Sequence, residues 1–577
     1  MDNGPLQEDM LNQVKREVKE KAAMRRTLGY MREAETANDE PPLPSQGNTQ
    51  AEAGAETQYT LRQHGPNLTL LDTSQLQGGR IDPEVDRLVP IPASTAVEPS
   101  PDPRPEVPRQ RVWPGCDPGF KSFYLDFFFP FLFPFYQPHM LEGGRAWLFH
   151  FVNESEGMQQ TAIALSSYLF SIVLDATEAG HETCKKIGWD KLFAEMTNTF
   201  TGLSDNILRL RQGHDNADMQ LSLAVRILGT IVHLQRFEIA TRGFANCNKH
   251  LGAAAQCFTH ILGDHAATQG STDTASDFFA VLGRMGPSPW PRPYRQFQIA
   301  SPDQVAFRFF ASLLVADDII ASTSLAEEPR LYKYHAGLLS GEPQRELPVD
   351  LEAVMGCQNW VLLQIGEISA LAAWKRRQAG NGDDTASELA RRGNAIQGAL
   401  NSRLDSMRNS QDSQPRTTQS SDLDHNAVLG LFSEWQSQSQ PSTTASQRRA
   451  VTEIWAYAAI IYLLVTLHGG HSTQVEIRQN VDRVVALLAH KLSTPALLRT
   501  VAWPFCVAGC LAAPEQEAFF RHQAESLQPT GLFVTVHKAM EIMEQVWLKR
   551  AMAGQSDEMA DDMAGYFGGS SEGLFLV

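Results

Sequence analysis

A chain of 577 residues, 42% of them apolar, is longer than one hydrophobic core usually serves and has ample material to build a core. Its formal charge of −17 excludes a body that grips nucleic acid across its own surface, because phosphate binding calls for a net basic face. Seven scattered cysteines, at 116, 184, 247, 257, 357, 506 and 510, argue against a disulfide framework and for a reducing compartment, and MDNGPLQEDM has neither the basic flank nor the apolar core of a secretory signal.

Residues 1–34 form a basic, helix-prone segment in which Lys15, Arg16, Lys19, Lys21, Arg25 and Arg26 stand out against the acidic remainder. The plain reading is a solvated helix laced by i,i+4 ion pairs; the sharper one is a DNA-proximal or nuclear-import element. Residues 35–119 have little periodicity and are rich in proline towards their end, so they are expected to be a disordered linker.

Folded structure is expected from Phe120. The stretch FYLDFFFPFLFPFYQPHMLEGG, Phe123 to Gly144, concentrates aromatic side chains, while Pro130, Pro134 and Pro138 resist a continuous helix, which predicts a short, bent, buried lead-in. A membrane span needs roughly 18 or more uninterrupted apolar residues, and Asp126, the prolines and Glu142 interrupt this one. Behind it, Met158, Ala162, Leu165, Leu169 and Ile172 fall on one helical face. The same spacing recurs at Leu221, Val225, Leu228 and Val232, at His250, Ala254, Cys257 and Ile261, at Val305, Phe309, Leu313, Ala316 and Ile320, and at Val451, Trp455, Ala458, Tyr462 and Val465. Gly263 to Asp303 reads as a mostly polar loop. Thr385 to Glu388 fits a capping box ahead of a helix carrying Leu389, Ile396, Leu400 and Leu404, and Asn409–Asp422 and Gln436–Gln447 read as surface loops. The fold class is therefore all-α: a non-repeating helical array over 120–550, followed by a flexible tail over 551–577.

Catalytic readings fail one by one. Gly569 to Gly573 fits a nucleophile elbow, but only four residues follow it, so neither the helix nor a downstream histidine can. His468 and His471 lack a third ligand, and a glycine helix stop explains His468-Gly469-Gly470-His471 with less. Cys506 and Cys510 share a face among small apolar residues and read as packing. Asp317 and Asp318 are neighbours in a helix and diverge by ~100°, so they cannot converge on a substrate; one buried aspartate fixing helix register is the expectation. No catalytic, cofactor or metal site is assigned.

Several stretches carry a family resemblance: FFFPFLFPFY, LEGG and the following Arg and Trp-Leu, then ALSSY, FEIATRGFANCNKHLGAAAQ, VMGCQNWVLLQIGEISALAAWK, AWPFCVAGCLAAPEQEAFF and AMEIMEQVW. Spread from about Phe120 to Trp547, they resemble the regulatory, or middle homology, domain of fungal zinc-cluster transcription factors. Met1-Asp2-Asn3-Gly4 and Val14 to Lys19 resemble the segment that follows the six-cysteine, two-zinc DNA-binding module of such proteins. That module is missing here, since no cysteine precedes Cys116. The resemblance implies a nuclear transcription regulator, not an enzyme, acting on RNA polymerase II promoters, whose partners are transcription machinery or regulatory proteins and which touches DNA only through a zinc module outside these residues. Zinc is implied only with such a module. The alternative is a zinc-less interaction partner with no DNA binding of its own. A homodimer is compatible with the sequence, although no heptad run extends over three repeats. Target genes, an effector and the sign of regulation are not specified by these residues.

Overall fold

Proline lacks an N–H, yet the first turn of a helix has no use for one. In the computed structural model the aromatic lead-in uses this: α1 (Asp117–Phe123) passes through a π turn (Tyr124–Phe128) into α2 (Phe129–Leu132), with Pro130 in the first turn of α2. The lead-in is thus buried and bent as expected, but more helical than three prolines suggest, and it opens inside the stretch 35–119 assigned to the linker. The wide turn places Tyr124, Phe128 and Phe129 in the interior. The structure describes residues 117–138, 144–177, 182–212, 217–241, 244–269, 273–286, 300–341, 347–378, 382–409, 445–469, 475–492, 495–553, 563–567 and 576. Among them every regular element is helical.

After the lead-in come α3 (Ala146–Glu154), α4 (Glu156–Thr177), α5 (Glu182–Gln212), α6 (Ala217–Ala240), α7 (Phe244–Gln269), α8 (Thr274–Arg284), α9 (Pro302–Leu325), α10 (Tyr332–Leu339), α11 (Leu351–Met355) and α12 (Asn359–Arg377). The remainder is α13 (Gly382–Asn409), α14 (Ala445–His468), α15 (Val475–His490), a 3₁₀ turn (Pro495–Val501), α16 (Ala502–Cys510), α17 (Pro514–Glu525), a second 3₁₀ turn (Thr530–Leu532), α18 (Val534–Ala553) and α19 (Met563–Tyr566).

The array is organised around α9. Ser301 and Gln304 form a reciprocal capping box at its start, and from Ala306 to Ser324 nearly every side chain is buried. A helix enclosed on all sides must be surrounded by others, and α9 packs against α3, α6, α7, α11, α12 and α19. Its Phe309 is the hub of an aromatic cluster, with ring centroids of Tyr136, Phe133, Trp147 and Phe129 at 4.7, 5.0, 5.0 and 5.5 Å. Gly229 of α6 permits the close approach of that helix, since a Cβ there would fall 2.4 Å from the Phe310 ring. Among the described residues one helix, α14, is long and apolar enough to cross a membrane, but 89% of its apolar window is buried inside the fold.

The stretch Gly356-Cys357-Gln358-Asn359-Trp360 is structural. Gly356 ends α11 at φ +78°, in the left-handed region, with Phe135 packed where a Cβ would be. The Asn359 side chain accepts from the Leu351 N–H at 2.8 Å and donates to the Val349 carbonyl at 2.9 Å, tying the two helices together. Tyr124 pins the lead-in to α6. His233 Nδ1 lies 3.1 Å from the Gly229 carbonyl and must donate to it, so Nε2 accepts from the Tyr124 hydroxyl at 2.7 Å.

Four expectations are corrected. The polar loop over 263–303 contains a helix: α7 continues to Gln269, and α8, capped by Asp273, buries Phe278, Val281 and Leu282. The capping box at Thr385 does not start a helix, because α13 opens at Gly382 and Glu388 instead pairs with Arg391 and Arg392 at 2.7 and 2.6 Å. Likewise α14 opens at Ala445, within the stretch read as a loop over 436–447. In the stretch 551–577, expected to be a flexible tail, Met563, Tyr566, Phe567 and Leu576 are buried, and α19 packs against α9 and α14. Gly469, at φ +79°, ends α14 as expected.

Two outcomes follow from this packing. Phe309→Ala empties the centre of the aromatic cluster and should lower stability by about 3–5 kcal/mol in urea titrations. Burial holds the His233 pKa down to about 4. Above the ordinary value of ~6.5 the imidazole is neutral whether the chain is folded or unfolded; below it the unfolded chain gains a proton that the folded one refuses, so stability falls as pH drops towards 4. Between pH 7 and 5 His233 should account for about 2 kcal/mol of lost stability. His233→Gln should remove that part of the slope, read as the difference between urea midpoints at the two pH values.

Candidate functional site

An apolar helical array gains nothing by burying a guanidinium unless something inside pairs with it. Two arginines are nonetheless buried here, Arg236 near the end of α6 at 8% exposure and Arg499 in the first 3₁₀ turn at 9%. Both line one partly open cavity of about 80 Å³. Its walls are Phe128, Phe131, Leu132 and Phe133 of the lead-in, Tyr168 and Leu169 of α4, Ile239 and Ala240 of α6, Leu313 of α9, Val354 and Met355 of α11, and Leu532, Val534 and Thr535 near the carboxy-terminal end.

The two arginines are anchored differently. Arg236 uses one nitrogen, Nη2, for both oxygens of Asp317 on α9, at 2.7 and 2.8 Å, and Gln235 Nε2 adds a third bond to that carboxylate at 3.1 Å. Burial pushes the Asp317 pKa up, and the Arg236 charge opposes it. Among the described residues Arg499 has no carboxylate partner. Its Nη2 donates to the Phe131 carbonyl and, at 2.6 Å, to that of Leu132, and the guanidinium lies 5.0 Å from the Phe131 ring centroid. Burial and repulsion from Arg236 together lower its pKa to about 10. Arg236 Nε, Arg499 Nε and Thr535 Oγ1 are buried without a hydrogen-bond partner.

Asp318 does not line this cavity. It accepts from the Arg330 and Leu331 N–H groups at 3.1 and 2.8 Å, and burial raises its pKa to about 6 against those bonds. The two neighbouring aspartates therefore diverge as the helix dictates. Both, rather than the one expected, are buried and bonded.

The basic residues Lys15, Arg16, Lys19, Lys21, Arg25 and Arg26, the linker up to residue 116, His471 and the Gly569–Gly573 stretch lie outside the described residues. Cys506 and Cys510 are buried and outside any disulfide, as are Cys247, Cys257 and Cys357. Among the described residues no group of three His, Cys, Asp or Glu side chains could hold a metal ion, and no cysteine precedes Cys116, so these residues do not fit a two-zinc, six-cysteine cluster. Sequence reasoning missed Arg236, Arg499 and Thr535. The available signal was Arg499 set in the mostly apolar run PALLRTVAWPF; Arg236, with His233, Gln235 and Glu238 close by, carried none.

The described scaffold can be set beside known proteins. The fungal specific transcription factor domain family matches residues 120–563. This chain belongs to that family. Transcription factor dibT of Pestalotiopsis microspora is 33% identical over 435 residues, covering 75% of this chain and 67% of that protein. Pestheic acid cluster transcriptional regulator 3 of Pestalotiopsis fici is 23% identical, covering 72% and 68%. The ustiloxin B cluster transcription factor ustR of Aspergillus flavus is 24% identical, covering 70% of this chain and 62% of that protein, so the chain spans under two thirds of that relative. No solved structure matches. As a member of the fungal-specific transcription factor family the chain is a transcription regulator, and the match reaches past residue 550 to include the start of α19.

The ion pair at the cavity wall sets a test. Asp317→Asn strands a buried guanidinium and should destabilise the protein by about 3–5 kcal/mol, whereas the double variant Arg236→Met, Asp317→Leu should recover most of that loss. Urea denaturation of the three proteins measures both.

Proposed function

We propose that this chain is the regulatory body of a nuclear transcription regulator controlling a set of co-regulated biosynthetic genes. The observation that carries the reading is family membership across 120–563, together with relatives whose names describe regulators of biosynthetic clusters. The interior supports a regulatory role: its buried polar side chains join helices to each other, as Asp317 joins α9 to α6 and Asn359 joins α11 to α12. Partners are transcription machinery or other regulatory proteins. Promoter DNA would be contacted through a zinc module that these 577 residues do not contain.

Transcript profiling after deletion of the gene tests this. The expected outcome is loss, or coordinated gain, of messages from a contiguous group of biosynthetic genes; unchanged messages, or scattered changes without such a group, would count against it. A second reading is an interaction protein with no DNA binding of its own. In a gel shift the purified chain should give no nanomolar, salt-resistant complex with any promoter fragment of that gene group. Such a complex formed by these residues alone would contradict both readings.

A further inference from the structure

We propose that the cavity between the lead-in and the carboxy-terminal segment binds a small organic anion, a carboxylate on an apolar body about the size of one ring, with the carboxylate between Arg236 and Arg499. The assignment begins with charge. Two guanidiniums line the space and, among the described residues, one carboxylate, Asp317, answers them, so one buried positive charge has no counter-ion among those residues. Both guanidiniums are charge-assisted donors to a carboxylate oxygen, and Thr535 adds a hydroxyl-bearing side chain to the same lining. Burial that lowers the Arg499 pKa to about 10 is the strain such an anion relieves.

Size and lining settle the rest of the ligand. At about 80 Å³ the cavity is several times the ~10–15 Å³ that one water needs. The rest of its lining is mostly aliphatic and aromatic, so the group attached to the carboxylate must be apolar. A phosphorylated or otherwise polyanionic ligand would leave most of its oxygens against hydrocarbon. A bound carboxylate would join α6, the first 3₁₀ turn and, through Arg499, the lead-in. Its use as a regulatory input rests on the reading of the chain as a regulatory body.

The test uses the full chain and five probes: benzoate, phenylacetate and hexanoate, with neutral benzamide and bodiless acetate as controls. Thermal unfolding should shift upward with each of the first three at about 10 mM, a concentration that mostly fills even a millimolar site, and should not shift with benzamide or acetate. By calorimetry, Arg499→Gln should weaken benzoate at least about tenfold, the scale of a lost charge-assisted contact. Ala240→Trp fills the cavity while keeping both guanidiniums, and should abolish binding in a protein whose circular dichroism is unchanged; it keeps the proposal testable if Arg499→Gln does not fold. The proposal is overturned if none of the three carboxylates binds the folded chain, if benzamide matches benzoate, or if Ala240→Trp binds benzoate as before. A reporter driven by the chain fused to an unrelated DNA-binding domain separates the two claims. Carboxylate binding without any change in reporter output leaves the site standing and removes only the regulatory reading.

Discussion

A helix surrounded by protein on every side has no water to turn its polar groups towards, and α9 is such a helix. Both of its adjacent carboxylates must therefore be met by other parts of the chain. Asp317 is met by Gln235 and Arg236, and Asp318 by the backbone just beyond the end of α9. Partners fixed to one residue each allow little sliding: a shift of α6 by one turn would separate Arg236 from Asp317 and leave two opposite charges stranded in hydrocarbon. The burial that makes α9 the centre of the array thus also dictates where α6 lies, and so brings Arg236 to the cavity wall.

The second arginine obeys a different rule. Arg499 meets main-chain carbonyls that the end of a helix leaves spare, since Phe131 and Leu132 close α2 and have no following turn to accept from. Capping α2 in this way satisfies Nη2 but not the charge. A fold selected for stability alone would favour an uncharged side chain at that place, as buried ion pairs elsewhere are often matched or bettered by hydrocarbon. The contrast between the neutralised Arg236 and the unneutralised Arg499, on walls of the same space, is what distinguishes this cavity from a packing defect.

Much of the architecture was legible in the sequence because helical faces repeat every three to four residues. Leu221, Val225, Leu228 and Val232, and Val451 through Val465, are buried on the faces their spacing foretold. Reading failed where the apolar signal was brief. Phe278, Val281 and Leu282 make a sound face for α8, but they are set in a long polar stretch and were masked by it. It failed again with Met563 and Tyr566, since a four-residue helix has no periodicity to show. The cavity was not legible at all, because its walls come from stretches hundreds of residues apart. The signature Gly356-Cys357-Gln358-Asn359-Trp360 was recognised as a resemblance, while its cause, a left-handed glycine and an amide bridging two helices, needed coordinates.

The bond from Arg499 to Phe131 spans 368 residues. During translation at roughly 5–20 residues per second, the phenylalanine-rich lead-in emerges and then waits on the order of 20–70 s before its last wall is made. For all that time Phe131, which packs against Arg499 and Phe533, lacks its native cover, and exposed apolar surface of this kind is what makes incomplete chains prone to aggregate. Joining the lead-in to a turn 368 residues later commits this protein to late completion of its fold.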